Sequence, residues 1–335
     1  MPRALPVLGV VLLALIPLVG LTDYHLHILI LILLWAFIYT GWSIMGRFGL
    51  VSLGHGAFLG IGAYTVTMLW NHFGITPWLG IPVSLALAAV VALIVGYPCS
   101  RFRITGHYFA LVTLALGEVV RLLIVALRED TGGSLGVTPT SALGESAWSL
   151  TALQFAPKEA WFYIILAFWL IGLLIWRAVD RSMARYAMEA ISGEEDAAAS
   201  IGINVTRTKL RVTLISAVMT AMGGALYGQY QMYINPETVS GIAISLQIVF
   251  AVIAGGMFVQ LGPTVGALFT LLLAESLRIT VGHDVHGLDG TIYGALLVIF
   301  IIFMPNGILG KLVELWQRRR AGPPPGRLQP ATASD

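Results

Sequence analysis

Long apolar runs recur along this chain, separated by short polar stretches. Most approach the ~20 residues that cross a ~30 Å hydrocarbon core. They predict ten helical spans: Leu5–Leu21, Leu26–Met45, Leu50–Trp70, Trp78–Tyr97, Tyr108–Leu127, Trp161–Trp176, Val212–Tyr233, Ile242–Val259, Pro263–Val281 and Ile292–Met304. The fold class expected is therefore an all-α membrane protein. A transmembrane domain covers residues 1–310, and a basic, Pro-rich tail over 311–335 is expected to be disordered and cytoplasmic.

Composition removes the soluble alternative. Hydrophobic residues make up 57% and charged residues 11%, against about 25% charged in ordinary soluble domains. The net charge of +2 gives no footprint for a nucleic-acid partner. A single cysteine, Cys99, excludes an internal disulfide and an all-cysteine metal cluster, and reads as a packing residue. The first apolar run lacks a small-x-small cleavage pattern, so it is expected to stay as span one.

Charge placement orients the spans. With the C-terminus inside and ten crossings, fifteen basic residues fall on the inner side, among them Arg47, Arg101, Arg103, Arg177, Arg181, Arg185, Arg207, Lys209 and Arg211. Only Arg128, Lys158 and Arg278 fall outside. The positive-inside rule thus places both termini in the cytoplasm.

Two spans carry charges of their own. Thr113, Leu114, Leu116, Glu118 and Arg121 in span five match Thr270, Leu271, Leu273, Glu275 and Arg278 in span nine, both reading T-L-x-L-x-E-x-x-R. Glu and Arg at i, i+3 share a helix face and neutralise one another. Unpaired, such a charge costs at least ~2.5–3.5 kcal/mol at mid-membrane. These pairs read as buried struts, with lining of a solute path as the alternative. The repeated motif suggests two parallel halves, spans two to five and six to nine.

Span three is rich in glycine: Gly49, Gly54, Gly56, Gly60 and Gly62 surround Ser52, His55 and Tyr64. Small residues allow close helix approach. A broken or re-entrant helix lining a cavity is the other reading. Ser52, His55, Tyr64 and Thr113 are the candidates for a translocation path.

Residues 177–211 form the longest interior hydrophilic stretch. Met183, Tyr186, Ala187, Ala190 and Ile191 fall on one helical face. Glu194, Glu195 and Asp196 suit the N-terminus of a second short helix, and Gly202 suits its C-terminal stop, before Ile203 and Asn204. The two helices, joined at Gly193, predict a compact cytoplasmic knob. Its acidic centre disfavours an anionic lipid surface and favours docking of a soluble protein subunit.

No G-x-x-x-x-G-K-[ST] loop occurs, so no nucleotide hydrolysis is expected through that motif. H-E-x-x-H and G-x-S-x-G are absent too, and no histidines are spaced as metal ligands. An enzyme is disfavoured. A stand-alone secondary transporter or channel remains the alternative to an energised importer.

Phe48-Gly-Leu-Val-Ser-Leu-Gly-His-Gly-Ala-Phe58 with Gly60-Ile-Gly-Ala-Tyr64 resembles the signature of branched-chain amino-acid ABC transporter permeases, in their LivM-like branch. Tyr108–Ala115 with Gly117 and Glu118, Thr131–Ser134, the loop from Ala190-Ile191 to Arg207, and Ala251–Gly256 with Gly262-Pro263 extend the likeness over residues 26–310. Glu189 and Leu135 stand where the family often has Arg and Asn. The resemblance implies a type II importer permease fold in a bacterial inner membrane. It also implies a second homologous permease, two cytoplasmic ATPase subunits that carry ATP and Mg, and a periplasmic binding protein that delivers the solute. Within that family, Met183, Tyr186, Glu189, Ala190, Ile191, Glu194, Glu195, Gly202, Ile203 and Asn204 correspond to the ATPase-coupling loop. No cofactor or metal is implied in this chain itself.

Overall fold

The computed structural model describes residues 4–144, 147–280, 288–304 and 307–321. It is helical almost throughout. In chain order the helices are α1 (Ala4–Leu15), α2 (Asp23–Gly46), α3 (His55–Phe73), α4 (Pro77–Arg101), α5 (Gly106–Ala126) and α6 (Arg128–Thr131). There follow α7 (Lys158–Arg181), α8 (Met183–Gly193), α9 (Glu195–Ser200), α10 (Val205–Gln231), α11 (Pro236–Val239) and α12 (Ile242–Gly255). The last are α13 (Gly262–Thr280), α14 (Leu288–Phe303) and α15 (Gly307–Ala321). A two-residue hairpin, β1 (Trp148–Ser149) with β2 (Gln154–Phe155), braces the loop before α7.

Among the described residues, six segments are long and apolar enough to cross a membrane: α2, α4, α5, α7, α10 and the stretch Pro236–Gly255 that holds α11 and α12. α2 is the axis of the bundle, packed against α7, α10, α12 and α13. It therefore lacks an exposed face, and Ile30, Leu34, Ile38, Tyr39, Trp42 and Ile44 are fully buried. α4 lies at the periphery and inverts the soluble pattern. Its buried stripe is small (Ser84, Ala88, Ala92, Cys99), whereas Leu79, Val83, Leu87, Val90 and Ile94 point outward. In lipid there is no penalty for exposing leucine, and small residues bring backbones together.

Glycines set the closest crossings. A Cβ on Gly62 would strike the carbonyl of Ala221, and one on Gly224 the carbonyl of Leu59, so α3 and α10 touch backbone to backbone. Gly255 and Gly266 do the same between α12 and α13. The Gly56/Gly60 pair receives Ser240 and Ser245, at the junction of α11 and α12.

Four expectations change. Span three becomes helical only at His55, because the chain turns through Arg47–Gly54 with Gly49 at φ +80. Span seven starts earlier, at Val205, where the Asn204 side chain accepts from the Arg207 N–H at 2.9 Å and caps α10. The tail is helical through Ala321, since α15 packs on α12 and α13; residues 322–335 lie outside the described set. Finally, the helix neighbours do not confirm two parallel halves. Under that pairing the α3–α4 contact would recur between α10 and α12, which make no extended contact. The Glu-x-x-Arg motif solves a local problem of charge in a span, and local solutions recur without marking a repeat.

Candidate functional site

α8 and α9 form the knob expected between spans six and seven. The apolar stripe of α8 divides in two. Met188 and Ile191 are buried against the bundle, and Ala198 of α9 joins them. Met183 and Tyr186 turn outward at 81% and 60% exposure, and Ile201 after α9 is 76% exposed. The seam follows from the 3.6-residue period, which puts Met188 and Ile191 on the bundle side and Met183 and Tyr186 off it. Glu189 is also exposed and takes a hydrogen bond from Arg185 Nε at 2.8 Å.

α9 ends in a Schellman turn. The Ile203 N–H donates to the Ala198 carbonyl at 3.1 Å and the Gly202 N–H to that of Ala199 at 3.0 Å. Gly202 sits at φ +92, a conformation natural to glycine. Glu195 forms an ion pair with Lys209, which is 3% exposed, and so ties α9 to the base of α10. A crevice of about 320 Å³ opens between the Ile191–Glu195 turn and the chain at Phe48–Leu50.

The knob is wired to the turn between α2 and α3. Arg47 is buried, donates to Asp180 at 2.9 Å, and stacks over Trp176 at 4.3 Å. Asp180, at the end of α7, also takes Arg185 of α8 at 3.5 Å. Burial pushes the Arg47 guanidinium below its ordinary value, and the Asp180 charge opposes that. By its position in the chain Arg47 is only an inner-side charge. Nothing in the spacing of Arg47 and Asp180 announces that they meet.

The four path candidates are buried within this chain. Ser52, His55, Tyr64 and Thr113 are 1%, 0%, 4% and 6% exposed. His55 joins Ser52 Oγ at 3.0 Å and Ser216 Oγ at 2.8 Å, pinning α3 to α10. Thr113 Oγ1 accepts from the Leu53 N–H at 3.0 Å, linking α5 to the same turn. The space among Ser52, His55 and Thr113 is about 10 Å³, room for one water at most. Tyr64 stands apart, higher on α3. Replacing His55 by leucine should strand the Ser216 hydroxyl and lower stability by about 1–3 kcal/mol. Thermal unfolding of the purified variant in detergent reads this directly; an unchanged midpoint would contradict it.

Both Glu–Arg pairs form. Arg121 Nε meets Glu118 at 3.0 Å and Arg278 meets Glu275 at 2.9 Å. Each has an addition the motif did not foretell: Arg121 also donates to Glu237 of α11 at 2.8 Å, and Tyr24 of α2 donates to Glu275. The Glu118–Arg121 side chains stay 32% and 24% exposed in the subunit. Among the described residues no group of three or more His, Cys, Asp or Glu is arranged to hold a metal.

Comparison with known proteins gives the family of this chain. The family described as the permease component of the branched-chain amino acid transport system matches residues 24–303. The high-affinity branched-chain amino acid permease LivM of Escherichia coli K12 is 30% identical over 284 residues, covering 79% of this chain and 65% of LivM. The chain thus spans slightly less than two thirds of that relative. LivH of the same organism is 27% identical over 290 residues, covering 83% of this chain and 91% of LivH. The inner membrane ABC transporter permease YjfF of that organism is 20% identical over 279 residues, covering 82% and 80%. No solved structure matches. A bundle of apolar helices with a knob at α8–α9, matched over residues 24–303, belongs to the branched-chain amino acid transport permease family.

Proposed function

We propose that this chain is a transmembrane subunit of an ATP-driven importer that moves branched-chain amino acids or related small solutes inward. It works beside a second, homologous permease. Two cytoplasmic ATPase subunits bind and hydrolyse ATP with Mg, and one of them docks on α8–α9. A periplasmic binding protein selects the solute and delivers it from the outer side. The chain crosses a bacterial inner membrane ten times, with both ends in the cytoplasm; the distribution of basic residues supports that orientation.

The observation that carries this reading is the knob. Met183, Tyr186 and Ile201 expose large apolar surface on a segment otherwise anchored by Met188, Ile191 and the Glu195–Lys209 pair. Exposed apolar side chains on a rigid, polar-rimmed projection mark a protein interface. The links from Asp180 to Arg47 and Arg185 give a docked subunit a mechanical connection to α2, α3 and α7.

The two halves of the bundle are inverted relative to one another. Supporting this, helix neighbours exchange between α2–α5 and α10, α12, α13, α14. The α3–α4 contact matches α12–α13, α4–α10 matches α13–α2, and α3–α5 matches α12–α14. Corresponding helices are then five crossings apart, an odd number, which reverses their direction.

The test is affinity capture of the tagged chain in mild detergent with its neighbouring gene products co-expressed. Wild type should bring down an ATPase, and Met183→Asp/Tyr186→Asp should lose it. Retention by the double variant would sink the docking assignment. Gly202→Val should keep assembly and ATP hydrolysis yet lose uptake, because a β-branched residue at this φ costs about 1–2 kcal/mol and reshapes the Schellman turn. Uptake at the wild-type rate per ATP would count against the coupling role.

A further inference from the structure

The Glu118–Arg121 pair is two thirds of a larger group. Arg121 Nη1 donates to Glu237 Oε1 at 2.8 Å while Nε and Nη2 hold Glu118. Two carboxylates therefore share one guanidinium, and their formal charges sum to −1. Glu237 is the outermost member, its side chain 70% exposed. Its second oxygen, Oε2, lies about 3.2 Å from where a Cβ on Gly241 would stand, beside the first turn of α12.

This charge is costly to leave facing lipid. Arg121 lies five residues short of the end of α5, ~8 Å below it at 1.5 Å per residue, in a segment apolar enough to cross the membrane. Ionised groups within spans face a partner or a water-filled passage. The group also lies close to the outer loop. Gly133–Leu135 packs on both α5 and α11, Tyr233 donates to the Leu135 carbonyl at 2.8 Å, and Val137 pairs with Ile234. A solute released at that loop meets this group beneath it.

We propose that Glu237, steadied by Arg121 and backed by Glu118, receives the ammonium of a zwitterionic amino acid as it passes inward. This deepens the importer reading and rests on it. The ammonium supplies the positive charge the three residues lack, and Arg121 stays committed to the carboxylates. The three residues and the ammonium together sum to zero, while the carboxylate of the solute stays outside the group and unpaired by it, so the solute is held briefly and released, as a passage requires. Its chemistry favours amino acids over acids or neutral amides that lack the cation.

The single native cysteine is buried, which suits a labelling test. Leu122 is 50% exposed and lies one turn beyond Glu118 on α5. In the assembled complex, with Cys99→Ser, the variant Leu122→Cys should react with aqueous thiosulfonate reagents. A trimethylammonium reagent should be preferred over a sulfonate reagent by about tenfold beyond their ratio on a free thiol, and adding Glu237→Gln should abolish the preference. In proteoliposomes with binding protein and ATP, Glu237→Gln should lower leucine uptake about tenfold. Absence of labelling by either reagent would mean that a partner chain or lipid covers this face, and would overturn the proposal. So would unchanged uptake by Glu237→Gln, or labelling without charge preference. Should the wild-type complex import no amino acid, the importer reading fails, while the labelling ratio still decides the charge-selective face.

Discussion

Replacing Asp180 by alanine is expected to destabilise the folded subunit by about 3–5 kcal/mol. The side chain of Arg47 is 5% exposed, and Asp180 is its one hydrogen-bonded anion among the described residues. Its Nε and Nη2 already lack partners, so removing Asp180 leaves a buried cation with only the faces of Trp176 and Phe48. Arg185 loses the same carboxylate, and the knob loses its ion-pair tie to α7. Thermal unfolding in detergent measures the loss. The double variant Arg47→Met/Asp180→Leu should recover most of it, because an apolar pair of similar volume does not carry the desolvation cost of an ion. A double variant no more stable than Asp180→Ala would show that the cost lies in packing.

The second large effect concerns the α3–α10 crossing. Gly62→Ala and Gly224→Ala each add one carbon where a backbone carbonyl already stands. A flexible side chain can give way, but a helix backbone cannot, so the two helices must separate. Each substitution should cost about 3 kcal/mol or more, the upper part of the range for overpacked cores. Both together should prevent recovery of monodisperse protein. Gly9→Ala is the control, since nothing lies within 4 Å of its added carbon. Normal yield and melting of Gly62→Ala would mean that the crossing is looser than described.

Much of this protein is legible in the order of its residues. Apolar run length settles the membrane class, because a bilayer imposes a length on each element. The knob is legible because helix periodicity and cap chemistry are local. The Met183–Ile191 spacing, the acidic start at Glu194–Asp196 and the Gly202 stop each act within a turn or two, and each appears in α8 and α9. The Asn204 cap is equally local, yet the apolar run alone puts the start of that span at Val212 and misses it. The ion pairs of α5 and α13 are readable for the same reason, being i, i+3.

Only the tertiary structure decided which polar residues are sealed and which are open. His55 looks available in the sequence because span three is polar and glycine-rich. Those glycines instead draw α10, α11 and α12 against α3 and bury it. Glu237 carries no signal toward Arg121, 116 residues away, and Arg47 none toward Asp180, at a separation of 133. Sequence alone determined the apolar runs, the two short helices of the knob and the i, i+3 charge pairs, since these depend on neighbours within about one helical turn; it misplaced the starts of α3 and α10 and missed α15. The folded bundle decided the contacts between elements, because burial is a property of what packs on a residue rather than of the residue itself.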